Sequence, residues 1–461
     1  MRGFYSVAVA AATTLISQTL AVPIVVKPGD VGDIVITKEN TINGTHVPSS
    51  TDQKVAADGT PLTISLSNNY GGELYAYVTA QDPSGAIVML STSGDWYYPD
   101  PAGSAEPITI DADVAIPLNG QGQKTDLTVP DYVTSGRVWV AEGKLTFYTV
   151  ADGNGLPQLV EPSAANSADA SANINWGFIE LTNTADAGIW ANISFVDFVG
   201  LILGMTLTLG SGDVQTVEGL SADAVTSICD ELATQAAADG QPWDQMCVKN
   251  ADGTPLRIMA PNQYVAANPG AQDGYYDDYI EQVWTKYAGA DLTINTQGAA
   301  GEVKCRVSGD ELACDGDNRG YPKPTVLDIW GCNSGPFAIL DGDNDVHKAV
   351  VPRLCAAFHR TTLLVDGGDV QPGVASDAYY ASEPTSHYSR LVHKHEVDGR
   401  GYAFSYDDVN PDNENAAGVV SGLDPKVLEV VIGGFPSNGT AAATAPSRRR
   451  GQKLTRFSAA S

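Results

Sequence analysis

The sequence predicts a mainly β protein with a mixed α/β part in the middle of the chain, arranged as two lobes with a wide groove between them. Short runs of β-branched and aromatic residues, separated by Gly, Asp, Asn and Pro turns, fill residues 61–199. Strands at this spacing are typical of a sandwich or barrel. The hydrophobic period then changes to that of a helix over residues 221–238 and 275–287, and β texture returns after residue 400.

Each predicted element follows a local signal. Asp82-Pro83-Ser84-Gly85 predicts a turn, because Pro fixes φ and Gly tolerates positive φ. Ser221 can cap the first helix and Gly240 ends it, and Pro352 would kink or split a third helix expected between residues 345 and 363. The other expected strands are 108–110, 113–118, 127–129, 136–140, 144–149, 292–295, 302–307, 311–315, 401–408 and 427–432.

The chain divides into four predicted regions. Arg2, the apolar residues 4–16 and the small-x-small sequence Thr19-Leu20-Ala21 indicate a secretory signal peptide. The segment that follows it has little periodicity, so an extension, a pro-segment, a linker and an extra edge strand all remain open. The predicted boundaries are 1–21 for the signal peptide, 22–58 for the N-terminal extension or pro-segment, 59–434 for the main folded region (a β body at 59–214 and 331–434, a mixed α/β unit at 215–330) and 435–461 for a disordered tail.

The charge of the chain restricts its partners. With 26 Lys and Arg residues against 55 Asp and Glu residues among 461, the formal net charge is −29. Nucleic acid and anionic membrane are therefore excluded as expected partners, because phosphate binding needs Lys and Arg. A neutral polymer such as a polysaccharide is compatible with this charge. We expect a monomer that is secreted and is extracellular or associated with a cell wall, with no membrane helix.

The six cysteines indicate disulfides, because an even number in a secreted chain is typical of bridged pairs. Six cysteines allow 15 connectivities. Pairing of sequence neighbours, 229–247, 305–314 and 332–355, is the simplest of these, and 305–314 suits a hairpin. The spacing does not favour a structural zinc site.

Two acids stand out in the segment 174–199. Two strand-like runs, 174–182 and 189–199, flank a short turn and form a hairpin pattern, with Glu180 in the first run and Asp197 in the second. A single strand-borne acid is more often a solvent-facing residue. Two carboxylates opening onto one groove, however, suit glycoside hydrolysis, in which inverting enzymes separate them by about 6.5–9.5 Å. We expect an apolar surround that keeps Glu180 protonated as a general acid and leaves Asp197 ionised to activate water.

Other candidate groups have simpler explanations. Most aromatic residues are expected in the core, and Trp190 is the best exception because it lies in the hairpin. Residues 341–345 resemble the start of a calcium loop but lack its later glycine and glutamate, so they are expected to form an acidic turn before a helix. His393 and His395 are interpreted as solvated strand residues. We expect no metal and no cofactor.

Four segments resemble glycoside hydrolase family 64, the β-1,3-glucanases with a thaumatin-like fold. They are F-I-E-L-T at 178–182, W-A-N-I-S-F-V-D-F-V-G at 190–200, P-R-L-C-A-A-F at 352–358 and Y-A-F-S-Y-D-D at 402–408. The resemblance covers residues 60 to 434 and is greatest to the fungal branch. It implies a thaumatin-like β-sandwich or barrel domain and makes 59–434 the catalytic region.

The resemblance also implies a function: inverting, endo-type cleavage of β-1,3-glucan into short oligosaccharides, without a cofactor. The family's general acid falls on Glu180 and its general base on Asp197. The family positions that line the sugar groove correspond to Thr182, Trp190 and Ser194. Asp407 and Asp408 are expected to extend the acidic groove as further substrate-binding residues. Two alternatives remain open: a thaumatin-like glucan-binding or antifungal protein without turnover, and a structural wall protein tethered by its tail.

Overall fold

The computed structural model describes residues 24–25, 41–43, 61–412 and 414–435. The predicted signal peptide and nearly all of the predicted tail lie outside these residues, as does most of the N-terminal extension. The described chain is mostly β with helices concentrated in its second half, which confirms the expected mixture. Among the helices described here, none is both long enough and apolar enough to cross a membrane.

Strands dominate the first half of the described chain. Seventeen precede the first helix: β1 (Ile24–Val25), β2 (Thr41–Asn43), β3 (Leu62–Asn68), β4 (Leu74–Gln81), β5 (Ile87–Leu90), β6 (Trp96–Tyr97), β7 (Ile108–Thr109), β8 (Ile116–Pro117), β9 (Lys124–Val129), β10 (Val133–Glu142), β11 (Tyr148–Ala151), β12 (Pro157–Val160), β13 (Trp176–Thr184), β14 (Gly188–Ile193), β15 (Phe198–Val199), β16 (Leu203–Leu209) and β17 (Val214–Val217).

The second half mixes helices with shorter sheets. The helices are α1 (Ala224–Asp239), α2 (Pro261–Ala267), α3 (Asp277–Gly289), α4 (Val326–Gly331), α5 (Asp345–His359) and α6 (His387–His395), with short 3₁₀ turns at Trp243–Met246, Gly335–Phe337 and Ser376–Ala378. The strands are β18 (Cys247–Lys249), β19 (Pro255–Met259), β20 (Leu292–Asn295), β21 (Glu302–Ser308), β22 (Glu311–Cys314), β23 (Tyr321–Pro322), β24 (Val370–Gln371), β25 (Val420–Gly422) and β26 (Pro425–Ile432).

All three expected helices are present. The first ends at Gly240, whose φ of 74° is the left-handed conformation that favours glycine at a helix end. Pro352 lies inside α5 without splitting it, because the helix is buried along most of its length and packing compensates for the hydrogen bond that proline removes. Helices α2, α4 and α6 are too short to show a clear period in the sequence, and α6 contains the two histidines interpreted as strand residues.

Four expected strands are wrong in whole or in part. The strand expected at 113–118 is limited to Ile116–Pro117, and the one expected at 144–149 is Tyr148–Ala151. Residues 401–408 form a turn rather than a strand, because the Asp407 amide donates to the Phe404 carbonyl and the Ala403 amide donates to the Asp407 carboxylate. The second strand of the hairpin ends at Ile193 instead of continuing to residue 199. The chain leaves the sheet there because Ser194 forms an isolated bridge with Tyr402.

The strands form five sheets, with strand orders β1-β18-β19-β15, β25-β14-β13-β10-β4-β5-β6 (β8 also pairing with β4), β2-β12-β11-β7, β17-β16-β26-β3-β9 and β23-β22-β21-β20-β24. The second of these, the central sheet, carries the hairpin β13–β14. Successive side chains of a strand point to opposite faces, and consecutive residues of β4 and β10 are buried, so the sheet is covered on both faces over most of its length. Val138 and Ile179 face a large, mainly aliphatic core, whereas Trp139 and Phe178 face an aromatic core with Phe198.

The disulfides confirm the pairing of sequence neighbours. Cys229 bonds to Cys247, Cys305 to Cys314 and Cys332 to Cys355. Cys305 and Cys314 are cross-strand partners of β21 and β22, as expected for a hairpin bridge. The Cys332–Cys355 bond joins the end of α4 to α5, so it holds the chain that follows Gly331 against the helical part of the protein.

Two glycines let the chain beyond the hairpin lie directly on β13. A Cβ at Gly177 would be 2.4 Å from the Leu201 carbonyl oxygen, and a Cβ at Gly200 would be 2.2 Å from the Trp176 carbonyl oxygen. The Leu201 amide also donates to that Trp176 carbonyl at 2.9 Å. Any larger residue would push these backbones apart, so the glycines fix the path of the segment that carries Asp197.

We predict that Gly177→Ala lowers the free energy of unfolding by about 1–3 kcal/mol, because the added methyl group overpacks a site whose nearest neighbour is backbone. Urea denaturation would measure the change. Gly120→Ala is the matched control, since a Cβ there meets nothing within 4 Å. Equal unfolding midpoints for the two variants would contradict the close approach.

Candidate active site

Glu180 belongs to a row of polar side chains that crosses four strands of the central sheet. In the register of the sheet, Arg137 lies opposite Thr79 on one side and Glu180 on the other, and Glu180 lies opposite Asn192. Directly opposed side chains share a face of the sheet. Phe178 precedes Glu180 by two residues on β13, so the two side chains lie on the same face of the sheet. Phe178 belongs to the aromatic core on that face, and Glu180 lies beyond the edge of this core, where a groove begins.

Arg137 joins two carboxylates. Its Nη1 is 2.5 Å from Glu161 Oε2, and its Nη2 is 3.1 Å from Glu180 Oε1. The Glu161 side chain is 1% exposed and also accepts a hydrogen bond from Thr79 Oγ1 at 3.0 Å. Burial raises the pKa of Glu161 although Arg137 opposes the shift. Burial also disfavours the charged guanidinium, but the carboxylates outweigh it and raise the pKa of Arg137.

The surroundings of Glu180 are polar, so the expected apolar surround is wrong. Besides Arg137, the Asn192 side-chain amide donates to Glu180 Oε2 at 3.4 Å. Both carboxylate oxygens therefore have a partner, and the side chain is still 36% exposed. This arrangement fixes the direction of the carboxyl group while leaving it accessible to a ligand.

Asp197 lies in a bend just beyond β14 rather than on a strand. Its Oδ1 accepts a hydrogen bond from Gln263 Nε2 at 2.9 Å, and its backbone carbonyl accepts one from the Ala260 amide. Nearby, Tyr388 Oη donates to the Phe195 carbonyl at 2.6 Å. These contacts with α2 and α6 hold the bend in one orientation, so both carboxylates are positioned by the fold.

Glu180 and Asp197 line the same cavity. Its volume is about 400 Å³, and its wall also contains Ser194 and Asp408. An adjoining cavity of about 310 Å³ is lined by Thr182 and, again, Glu180. The two cavities, which we call the groove, share the residues Arg137, Glu180, Trp190 and Asn192.

Trp190 has the surface position expected of a sugar platform. Its side chain is 49% exposed, which is unusual for tryptophan. It lies directly opposite Thr182 in the sheet and is part of the wall of both cavities. An exposed aromatic face in a groove suits the C–H surface of a sugar ring.

Asp407 does not line the groove, so the expectation that it contacts substrate is wrong. Its side chain is fully buried and pairs with Arg360 at 2.7 Å and with His393 at 3.1 Å. These cations hold the pKa of Asp407 well below its usual range in spite of burial. Burial lowers the pKa of His393, but Asp407 and Glu396 outweigh it and raise that pKa to about 10. The cluster is a structural support beneath Asp408.

Several groove residues were not anticipated from the sequence. Arg137 and Glu161 lie far from the hairpin in sequence, although a lone arginine in the apolar run G-R-V-W-V could have marked the first of them. Asn192 is opposite Glu180 once the hairpin register is known. Tyr402 lines the larger cavity and begins the segment 402–408 that resembles the family, but was not singled out as a site residue. Gln263, which hydrogen-bonds to Asp197, carries no local signal, because only tertiary packing brings α2 to that carboxylate.

Comparison with known proteins identifies the class of protein that carries this groove. Residues 60–432 match the family model of glycoside hydrolase family 64, described as Beta-1,3-glucanase. The match covers most of the chain. The chain therefore belongs to glycoside hydrolase family 64.

Two bacterial relatives share moderate sequence identity with the chain. It is 28% identical over 364 residues to a glucan endo-1,3-beta-glucosidase of Cellulosimicrobium cellulans and 27% identical over 364 residues to one of Arthrobacter sp. (strain YCWD3). In each case the alignment covers 77% of this chain and 62% of the relative. The chain thus spans less than two thirds of the length of these relatives.

Solved structures show the same fold. A laminaripentaose-producing beta-1,3-glucanase in complex with laminaritetraose aligns with a TM-score of 0.70 and 26% identity, covering 81% of this chain and 98% of that one. A beta-1,3-glucanase domain from Clostridium beijerinckii aligns with a TM-score of 0.63 and 20% identity, with the same coverage. The second likeness concerns the fold alone.

We predict that Arg137→Met lowers the free energy of unfolding at neutral pH by about 3–5 kcal/mol, because it leaves the buried Glu161 charge without its cation. The double variant Arg137→Met/Glu161→Gln should recover part of this loss. Urea denaturation of the two single variants and the double variant gives the coupling energy.

Arg306→Met is the matched control for the arginine, since Arg306 forms a surface pair with Asp291 and is 55% exposed. Such pairs contribute about 0–1 kcal/mol. If the effects of Arg137→Met and Glu161→Gln simply add, the two side chains do not depend on each other and the ion-pair account is wrong.

Proposed function

We propose that this protein hydrolyses β-1,3-glucan to short oligosaccharides by an inverting, two-carboxylate mechanism. The observation that carries the proposal is that Glu180 and Asp197 open into one cavity beside the exposed face of Trp190. Membership of a family described as Beta-1,3-glucanase supports the substrate class. The proposed action is endo-type and uses the protein's own side chains for both proton transfers.

Glu180 is proposed as the general acid that protonates the glycosidic oxygen of the scissile bond. Its contacts with Arg137 and Asn192 support the role in one respect: they fix the orientation of the carboxyl group beside the groove, and proton transfer requires a positioned side chain. Its exposure to the groove lets a glucan chain approach. Glu161 lies behind Arg137 and would act only through it, as a positioning residue.

Asp197 is proposed as the general base that takes a proton from the attacking water. In an inverting reaction this water lies on the face of the sugar opposite the acid. The hydrogen bond from Gln263 to Asp197 Oδ1 supports the role, because it sets the direction in which the carboxylate accepts a proton. Asp197 and Glu180 are held by different elements, a bend braced by α2 and a strand of the central sheet.

Sugar binding is proposed for the remaining groove residues. Trp190 would stack on a glucosyl ring, and Thr182 beside it would offer a hydroxyl group to the same part of the chain. Ser194 and Asp408 would contact the glucan on the side of the groove that contains Asp197. Glucose units are uncharged, so hydrogen bonds rather than ion pairs would provide the polar recognition.

The finer features implied by the family resemblance are part of the same proposal. We propose a thaumatin-like arrangement of the sheets, a place in the fungal branch of the family and action outside the cell. The three disulfides support secretion, because such bonds persist in oxidising environments. The domain boundaries at 214 and 330 stay predictions.

We predict that Glu180→Gln and Asp197→Asn each lower the rate of laminarin hydrolysis by about 10²–10⁴-fold, the usual contribution of a general acid or base. Glucan binding and thermal stability should change little, because both substitutions keep the size of the side chain. Reducing-sugar release, pull-down on insoluble β-1,3-glucan and a thermal melting curve measure the three properties.

Asp186→Asn is the matched control, since Asp186 lies in the exposed turn of the same hairpin. Full activity in either groove variant would rule out the assigned roles. A wild-type protein that binds the glucan but releases no reducing ends would instead be a non-catalytic glucan-binding module.

A further inference from the structure

The strand β2 supplies part of the groove wall from outside the family region. Thr41 and Ile42 both line the cavity of about 310 Å³ that also contains Glu180. The family match begins only at residue 60. The N-terminal segment therefore contributes this part of the wall, and the other residues that line the groove belong to the family region.

β2 is attached to the body by pairing and by packing. It lies antiparallel to β12, with Thr41 opposite Val160 and Ile42 opposite Leu159. Ile42 also packs against the aromatic core that contains Leu159. Since β12 ends next to Glu161, the pairing brings β2 close to the ion pairs that orient Glu180.

The position of β2 within the groove is one-sided. The larger cavity, which contains Asp197, has no residue of β2 among the described residues that line it. The smaller cavity lies on the other side of Glu180 and includes Thr182. β2 therefore bounds the groove on one side of the cleavage position and leaves the other side open. It does not block the cavity that contains both carboxylates.

We infer that Thr41 and Ile42 are specificity-determining residues that limit how many glucosyl units bind on the Glu180 side of the groove. This inference rests on the proposed function. A strand with its backbone paired and one side chain packed into a core yields little to a ligand, so a glucan chain that meets it must end or turn away there. The wall would thus set the length of the oligosaccharides released. On this account β2 is an edge strand with a role in binding, and not part of an inhibitory pro-segment.

The test compares product lengths. Thr41→Trp should shorten the site and Ile42→Ala should lengthen it, shifting the ratio of the longest to the shortest product from laminarin in opposite directions, each on the order of tenfold. Anion-exchange chromatography of early digests gives the ratio. Laminarihexaose serves as a defined substrate, and its cleavage position should move between the two variants.

Ile108→Ala is the matched control, because Ile108 is exposed at the opposite edge of the same small sheet. It should leave the product ratio unchanged. The inference is overturned if hydrolysis continues but the product ratio is unaltered in Ile42→Ala, whether or not it changes in Thr41→Trp. A uniform rise in activity on every substrate without a shift in product length would also overturn it and indicate an inhibitory pro-segment. Absence of hydrolysis by the wild-type protein would instead contradict the proposed function.

Discussion

The double ion pair of Arg137 is the constraint on which the groove depends. Glu161 is buried and needs a cation, and Arg137 meets that need while its second nitrogen holds Glu180 at the surface. The row from Thr79 to Asn192 exists only in one register of four strands. A slip of one residue would turn every member of the row to the other face of the sheet, so the stability of the sheet and the orientation of Glu180 are set together.

Asp197 depends on a different kind of constraint. It belongs to an irregular segment whose path is fixed by close backbone approach at Gly177 and Gly200 and by hydrogen bonds from α2 and α6. A strand residue and a bend residue can be placed independently. This independence lets the fold adjust the space between the two carboxylates, into which a sugar ring and a water molecule must fit in the proposed reaction.

The sequence was informative where interactions are local. The hairpin pattern located Glu180 and Trp190, and neighbour pairing identified the disulfides. It was misleading where distant contacts decide. Asp407 has the local sequence expected of an acid that lines the groove, yet it is buried and paired with Arg360 and His393. The partner of Glu180, Arg137, lies 43 residues earlier in the chain and is recognisable only after the strands pair.

The central claim is that Glu180 and Asp197 act on opposite faces of the sugar. Proton NMR of the anomeric signals during the first turnovers on laminarin tests it most directly, before mutarotation mixes the products. Direct displacement by water gives a new reducing end that is first the α-anomer. A β-anomer appearing first would mean a double displacement through a covalent intermediate and would contradict Asp197 as a general base.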